Sequence, residues 1–80
     1  MIQDFTENIL PEFQIVKKSL YISKIKSFAE KLLDFGKKHN YPKAVEFANE
    51  LIKQANAFKI DRIIQIFNDF NVLINNLKKQ

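Results

Sequence analysis

Residues 25–70 read IKSFAEKLLDFGKKHNYPKAVEFANELIKQANAFKIDRIIQIFNDF, and this stretch is the most informative part of the chain. Its apolar residues recur at spacings of three and four, which is the periodicity of one face of an α-helix. The pattern is interrupted at the Asn-Tyr-Pro sequence of residues 40–42 and changes phase again near Ala57, so it divides into three amphipathic helices. The whole chain of 80 residues has one glycine and two prolines, so it has few places for sharp turns. The sequence therefore predicts an all-α fold without a sheet.

The first helix of this stretch is predicted to begin after Tyr21, with Ser23 as its N-cap, and to run to about Lys38. Its spacing predicts a buried stripe of Ile25, Phe28 or Ala29, Leu32, Phe35 and Gly36. Basic residues are favoured at a helix C-terminus, where this sequence has Lys37, Lys38 and His39. Asn40 can then adopt the left-handed conformation that ends a helix.

Pro42 suits the first position of the next helix. One face of that helix is predicted to be buried, namely Ala44, Phe47, Ala48, Leu51, Ile52 and Ala55. A corner without glycine or proline follows at residues 57–60, and Asp61 lies near the positive end of the last helix. The main stripe of the last helix is Ile60, Ile63, Ile64, Phe67, Phe70, Ile74 and Leu77. Further apolar residues lie off this stripe, at Ile66, Val72 and Leu73, so the helix is expected to sit centrally or to make an additional contact.

The N-terminal segment carries a weaker helical stripe, interrupted by Pro11; its apolar members are Phe5, Ile9, Phe13, Val16 and Leu20. Proline is tolerated in the first turn of a helix and disfavoured in its interior. A helix is therefore predicted from Leu10 or Pro11 to about Ser19, after a shorter helical or irregular lead-in, and a single kinked helix is the alternative. Short connections favour antiparallel neighbours, so the prediction is one domain over residues 1–80. Its fold is an up-down-up-down four-helix bundle whose first helix is short or broken at Pro11.

Composition argues against several classes of protein. There is no cysteine, which excludes disulfides and thiolate metal sites. No apolar run approaches the roughly 18 residues that span a bilayer, and the acidic N-terminus is unlike a signal peptide, so we expect a cytoplasmic location without direct membrane contact. The net charge of +4 comes from interspersed signs with Arg62 as the single arginine, so nucleic-acid binding is not expected. Nucleic-acid binding would require convergence on one face of five lysines, namely Lys24, Lys31, Lys38, Lys53 and Lys59.

No catalytic, cofactor or metal site is predicted. The single histidine, His39, and scattered carboxylates give no metal-ligand constellation, and there is no glycine-rich phosphate loop or nucleophile elbow. We interpret His39 as a helix C-terminal cap or an exposed loop residue. The phenylalanines recur at helical spacing, so they are assigned to the core rather than to a ligand pocket.

The sequence ELIKQANAFKIDRIIQIF at residues 50–67, which follows the Asn-Tyr-Pro break, carries a family resemblance. Its helix phasing and corner resemble those of the histidine phosphotransfer domain of bacterial two-component relays, over about residues 23–77. The chain looks like the degenerate phosphotransfer-type helical domains appended to hybrid sensor histidine kinases. The family register places Glu30 where the phosphoryl-accepting histidine lies. Leu33 and Asp34 replace the lysine and glycine that usually accompany that histidine, and Lys31 points about 100° around the helix, so it does not substitute for the lysine.

This resemblance implies a non-catalytic module without a phosphoryl-accepting histidine, cut from the C-terminal part of a longer signalling protein whose kinase is the enzyme. Such a module binds a receiver or kinase domain of the same or a partner protein, or aids dimerisation as a homodimer. Positions one turn from Glu30 define the implied interaction face, namely Lys26, Ser27, Leu33, Asp34 and Lys37. The alternatives are a solvated face with Leu33 turned into the core, and a free-standing helical adaptor or regulatory protein unrelated to phosphorelay.

Overall fold

The computed structural model of the protein describes residues 1–78, and these form four helices joined by short turns. Helix α1 is continuous over three segments, at Ile2–Asp4, Phe5–Ile9 and Leu10–Ser19. The other helices are α2 at Ile22–Lys38, α3 at Pro42–Asn56 and α4 at Ile60–Lys78. No strand occurs among the described residues, and the predicted all-α, antiparallel four-helix bundle is confirmed.

Helix α1 widens in front of Pro11 instead of breaking there. The regular α-helical segment begins at Leu10, as predicted, but residues 5–9 form a π-helical segment in which the Leu10 N–H donates to the Phe5 carbonyl. Proline has no N–H to donate, and its ring crowds the carbonyl four residues earlier in a regular α-helix. A wider π turn relieves this crowding while the chain stays helical. The lead-in is therefore helical and joined to the rest of α1.

Helix α2 begins two residues earlier than it would with Ser23 as its N-cap. Tyr21 is its N-cap, in an extended conformation and without a side-chain cap bond. The prediction of Ser23 as N-cap was wrong, because Ser23 already lies in the first helical turn, where its carbonyl accepts a hydrogen bond from the Ser27 hydroxyl at 3.2 Å. The half-buried side chain of Ile22 packs against the core, which favours including that residue in the helix.

Left-handed residues other than glycine end the first three helices, at Leu20, Asn40 and Phe58. The prediction for Asn40 is confirmed, with a φ of 50°. After Asn40 the chain turns back on α2, so that the Tyr41 N–H donates to the Gly36 carbonyl at 2.7 Å. Pro42 opens α3 directly afterwards, as predicted. These turns are short enough to make successive helices antiparallel neighbours.

The core is built around phenylalanine rings from three helices. Phe13 of α1 is fully buried, and its ring centroid lies 5.9 Å from Phe28 of α2 and 4.9 Å from Phe70 of α4. The predicted stripe of α2 is buried in full. On α3 and α4 the centre of each predicted stripe is buried, comprising Ala44, Ala48, Leu51, Ala55, Ile63, Phe67, Phe70 and Ile74. Ile64 departs from its predicted stripe, being 40% exposed, because it lies at the margin of the face that α4 presents to the core.

Helices α2 and α3 lie close together at Gly36. A Cβ atom at this position would lie 2.8 Å from Val45 Cγ2 and 2.9 Å from the Val45 backbone nitrogen. The absence of a side chain therefore lets the first turn of α3 pack against the last turns of α2. This packing fixes the orientation of α2 and its solvent-facing surface.

Candidate functional site

The outer face of α2 brings together the six residues that the sequence singled out. Glu30 lies at the midpoint of the helix, with eight helical residues on each side, and is exposed. At 100° per residue, the six positions cover an arc of about 120° around the helix axis. The buried residues of α2 occupy the opposite arc, so Glu30 points away from the core. We call this set the Glu30 face, composed of Lys26, Ser27, Glu30, Leu33, Asp34 and Lys37.

Leu33 lies at the edge of the Glu30 face and is half-buried. Its side chain packs against the core, while the remainder is open to solvent. The sequence allowed two alternatives for Leu33, an exposed docking residue or a core residue. The half-buried position of Leu33 lies between these two. The outer part of Leu33 supplies apolar surface beside the charged residues of the face.

The charged residues of the Glu30 face are balanced. Lys26 and Lys37 are basic, Glu30 and Asp34 are acidic, and none of the four forms an ion pair within the part of the chain that the structure describes. The hydroxyl of Ser27 is already used, because it donates to a carbonyl of its own helix. The face therefore presents four charges that a partner can pair with, and no cation directed at Glu30.

A shallow groove of about 230 Å³ borders this face, between α1 and α2. Asp34 lines it together with residues of both helices, namely Asp4, Asn8, Ile9, Lys31, Phe35 and Lys38. Unlike the residues of the face, Lys31 is engaged within the chain, since its Nζ lies 3.3 Å from Glu12 Oε1 on α1. The groove extends the candidate surface towards α1.

His39 is held by the N-terminus of the chain. As predicted it caps α2, where its backbone N–H donates to the Phe35 carbonyl at 3.0 Å. Its side chain is not exposed: it is 19% accessible, with the ring centroid 4.7 Å from that of Phe35. Its Nε2 atom lies 2.6 Å from Asp4 Oδ2. The imidazole is therefore held against α1 and lies at the C-terminal end of α2, outside the outer face at the middle of that helix.

Asp4 is ionised at neutral pH in this arrangement. Hydrogen bonds from His39 and from the Asn8 amide, together with the charge of Lys38, lower the pKa of its carboxyl to about 2. Because the carboxylate can only accept, Nε2 of His39 donates the hydrogen bond between them. Sequence reasoning missed this pair, since the two residues are 35 positions apart and only the folding of α1 along α2 brings them together.

Residues 1–77 include no buried polar or charged side chain, and residues 1–78 include no group of three or more potential metal ligands. No helix in the described part of the chain has the length and apolar character needed to cross a membrane. The described part of the chain presents helix faces with mixed charge and partly exposed apolar side chains.

Comparisons with models of protein families, with curated proteins and with solved structures found no match to this chain.

Proposed function

We propose that this chain is a non-catalytic phosphotransfer-like module of a two-component sensor histidine kinase. Its role is to bind a receiver or kinase domain through the Glu30 face, without carrying a phosphoryl group. The observation that carries the proposal is the position of Glu30, which is exposed at the centre of α2 and directed away from the core.

The state of His39 supports the absence of phosphotransfer. A phosphoryl-accepting histidine must present a free ring nitrogen to an incoming aspartyl phosphate, with room for in-line approach. Nε2 of His39 is instead 2.6 Å from Asp4, and the ring packs on Phe35. An incoming phosphoryl group would also meet the negative charge of Asp4.

The Glu30 face fits a transient contact. It combines the outer part of Leu33 with two positive and two negative side chains, as in the polar rim of a small interface. Balanced charges of this kind contribute to specificity and encounter rate more than to affinity. A complex with a receiver that forms and dissociates during signalling requires such a modest affinity.

The test is a titration of the ¹⁵N-labelled chain with a receiver domain encoded in the same gene or operon, followed by NMR. We expect the amide shifts to centre on Glu30 and to spread one turn in either direction. Glu30→Arg should weaken binding about fivefold or more, by reversing a charge at the centre of the contact. Glu7→Arg is the matched control, because Glu7 is an exposed glutamate of α1 that lies outside the Glu30 face.

Two results would contradict the proposal. Shifts that cluster on α4 around Ile66, Val72 and Leu73 would place the interface on another face. Acid-labile, base-stable phosphate on His39 after incubation with a phosphorylated receiver would show that the chain carries the phosphoryl group after all.

A further inference from the structure

Helix α4 carries apolar residues that the bundle does not cover. Ile66 and Leu73 are half-buried and Val72 is 59% exposed. The width of its apolar surface predicted either a central position or an additional contact. Because the bundle does not bury these three residues, their apolar surface is available for an additional contact.

These residues lie along a groove between α3 and α4. One part of the groove, of about 180 Å³, is lined by Phe47 and Ile66 with charged neighbours, and the next part contains Phe47, Val72 and Leu73. The two parts share Lys43, Phe47 and Asp69, so they form one continuous depression. On α4 it extends over residues 66–76, which corresponds to about 15 Å of helix. We call it the α3–α4 groove.

The rim of the α3–α4 groove is acidic. Glu46, Glu50 and Asp69 line it against a single base, Lys43, although the whole chain has a net charge of +4. All four side chains are exposed, and the three carboxylates form no ion pair within the described part of the chain. An apolar floor with unpaired acids on its rim is complementary to an apolar stripe flanked by basic residues.

We propose that the α3–α4 groove binds a basic amphipathic helix of a partner protein, with the apolar face of that helix on Phe47, Ile66 and Leu73. The two-helix floor and its length match the mode in which an amphipathic helix lies in a groove. Glu46, Glu50 and Asp69 pair with lysine or arginine residues that flank the apolar stripe of the partner. This site is separate from the Glu30 face and does not depend on the function proposed for that face.

A second copy of the chain fits this groove less well. In a two-fold symmetric dimer the same patch occurs on both subunits, so groove-to-groove packing would bring two acidic rims together. Like charges facing each other across an interface oppose association. The charge of the rim therefore favours a basic partner over self-association.

The probe for the test is a capped synthetic peptide of about 18 residues with leucines at helical spacing and lysines on both flanks. We expect saturable binding of the peptide, with amide shifts around Phe47, Ile66 and Leu73. A second peptide with glutamate in place of every lysine should bind at least about fivefold more weakly, and a scrambled peptide of the same composition should not bind saturably.

Variants of the chain distinguish binding in the α3–α4 groove from a general effect of net charge. The double substitution Glu46→Lys with Glu50→Lys should weaken binding about fivefold or more, whereas Glu7→Lys with Asp61→Lys makes the same charge change at exposed residues outside the groove and the Glu30 face and should have little effect. Val72→Asn should weaken binding without unfolding the chain, because Val72 is already largely exposed.

Three outcomes would overturn the proposal. The first is equal weakening by both double substitutions, which would mean diffuse electrostatic attraction. The second is a peptide footprint on the Glu30 face instead of the groove. The third is a dimer of the free chain, seen by analytical ultracentrifugation, whose formation shifts the same groove amides.

Discussion

Asp4 links the first turn of α1 to the end of α2, and its charge makes that link dependent on pH. Its carboxyl has a pKa of about 2 in the fold against an ordinary value of 3.8, so folding favours the ionised form. The resulting stabilisation is fully present above the unfolded pKa and is lost as the pH falls towards the folded pKa. We therefore expect Asp4→Asn to lower the urea midpoint at pH 7 and the difference from the unmodified chain to shrink between about pH 4 and pH 2.

The control for this experiment is Asp34→Asn, which removes one negative charge from an exposed carboxylate that forms no ion pair within the described residues. Its urea midpoint at pH 7 should stay close to that of the unmodified chain. An Asp4→Asn difference that is the same at pH 7 and pH 2 would show that the carboxylate does not stabilise the fold through its charge.

Gly36 is required by packing, not by backbone conformation. Alanine has the higher helix propensity, by about 1 kcal/mol, so an isolated helix would gain from Gly36→Ala. In the bundle the added Cβ would meet a backbone nitrogen at 2.9 Å, and α3 would have to move away. Overpacking of this kind costs about 1–3 kcal/mol, so we expect a net loss of unfolding free energy in urea denaturation. Ser27→Ala, on the exposed side of the same helix, is the control, and an increase in stability for Gly36→Ala would contradict the close approach.

The turn between α3 and α4 is closed by hydrogen bonds rather than by a residue suited to it. The Phe58 N–H donates to the Ala55 carbonyl at 3.1 Å and the Lys59 N–H to the Gln54 carbonyl at 3.0 Å, which is the Schellman pattern. Glycine is the usual residue at the left-handed position of this motif, but here it is Phe58, with a φ of 55° and a side chain 71% exposed. The turn therefore retains backbone strain that its side chain does little to offset.

Phe58→Gly should consequently stabilise the chain by about 0.5–1 kcal/mol, since it removes the steric cost of the left-handed conformation and loses little buried surface. Asn40→Gly is the matched control at the end of α2, where asparagine already tolerates this conformation, so its effect should be smaller. The comparison is made by urea denaturation followed by circular dichroism. A loss of stability in Phe58→Gly would mean that the exposed ring makes a contact that the turn needs.

Local signals predicted the helices well, and contacts between distant residues account for what was missed. Pro42 and Asn40 each act on their own turn, so the end of α2 and the start of α3 could be read directly from the sequence. The left-handed Phe58 has no such signal, because its conformation is imposed by the packing of the helices that it joins. The Asp4–His39 pair likewise depends on how α1 lies on α2, and periodicity within one helix carries no information about it.

The same distinction applies to the candidate site. The helical register of α2 was sufficient to group the residues of the Glu30 face, because their positions depend only on the helix and on which side is buried. Half-burial of Leu33 depends on how the rest of the core packs against α2, and the acidic rim of the α3–α4 groove combines residues from two helices. Neither property follows from the period of a single segment.

In the bundle as a whole, α1 is held by Phe13, although its stripe is the least regular in the sequence. Its ring is fully buried and lies within 5.9 Å, centroid to centroid, of Phe28, Phe67 and Phe70. Truncation of a buried phenylalanine to alanine costs about 3–5 kcal/mol, and a domain of this size has a total stability of only about 4–12 kcal/mol. We therefore expect Phe13→Ala to leave the chain partly unfolded or unfolded at 25 °C, as measured by urea denaturation.

Ile15→Ala is the control on the same helix, because Ile15 is 53% exposed and its truncation should cost less than about 1 kcal/mol. A large difference between the two variants would show that α1 folds together with the other helices, as its place in the aromatic core requires. If both variants were equally stable, α1 would be peripheral to the core. The groove beside the Glu30 face would then lose its α1 wall, and His39 would lose the partner that holds its ring, so the stability of this helix also determines the surface available for binding.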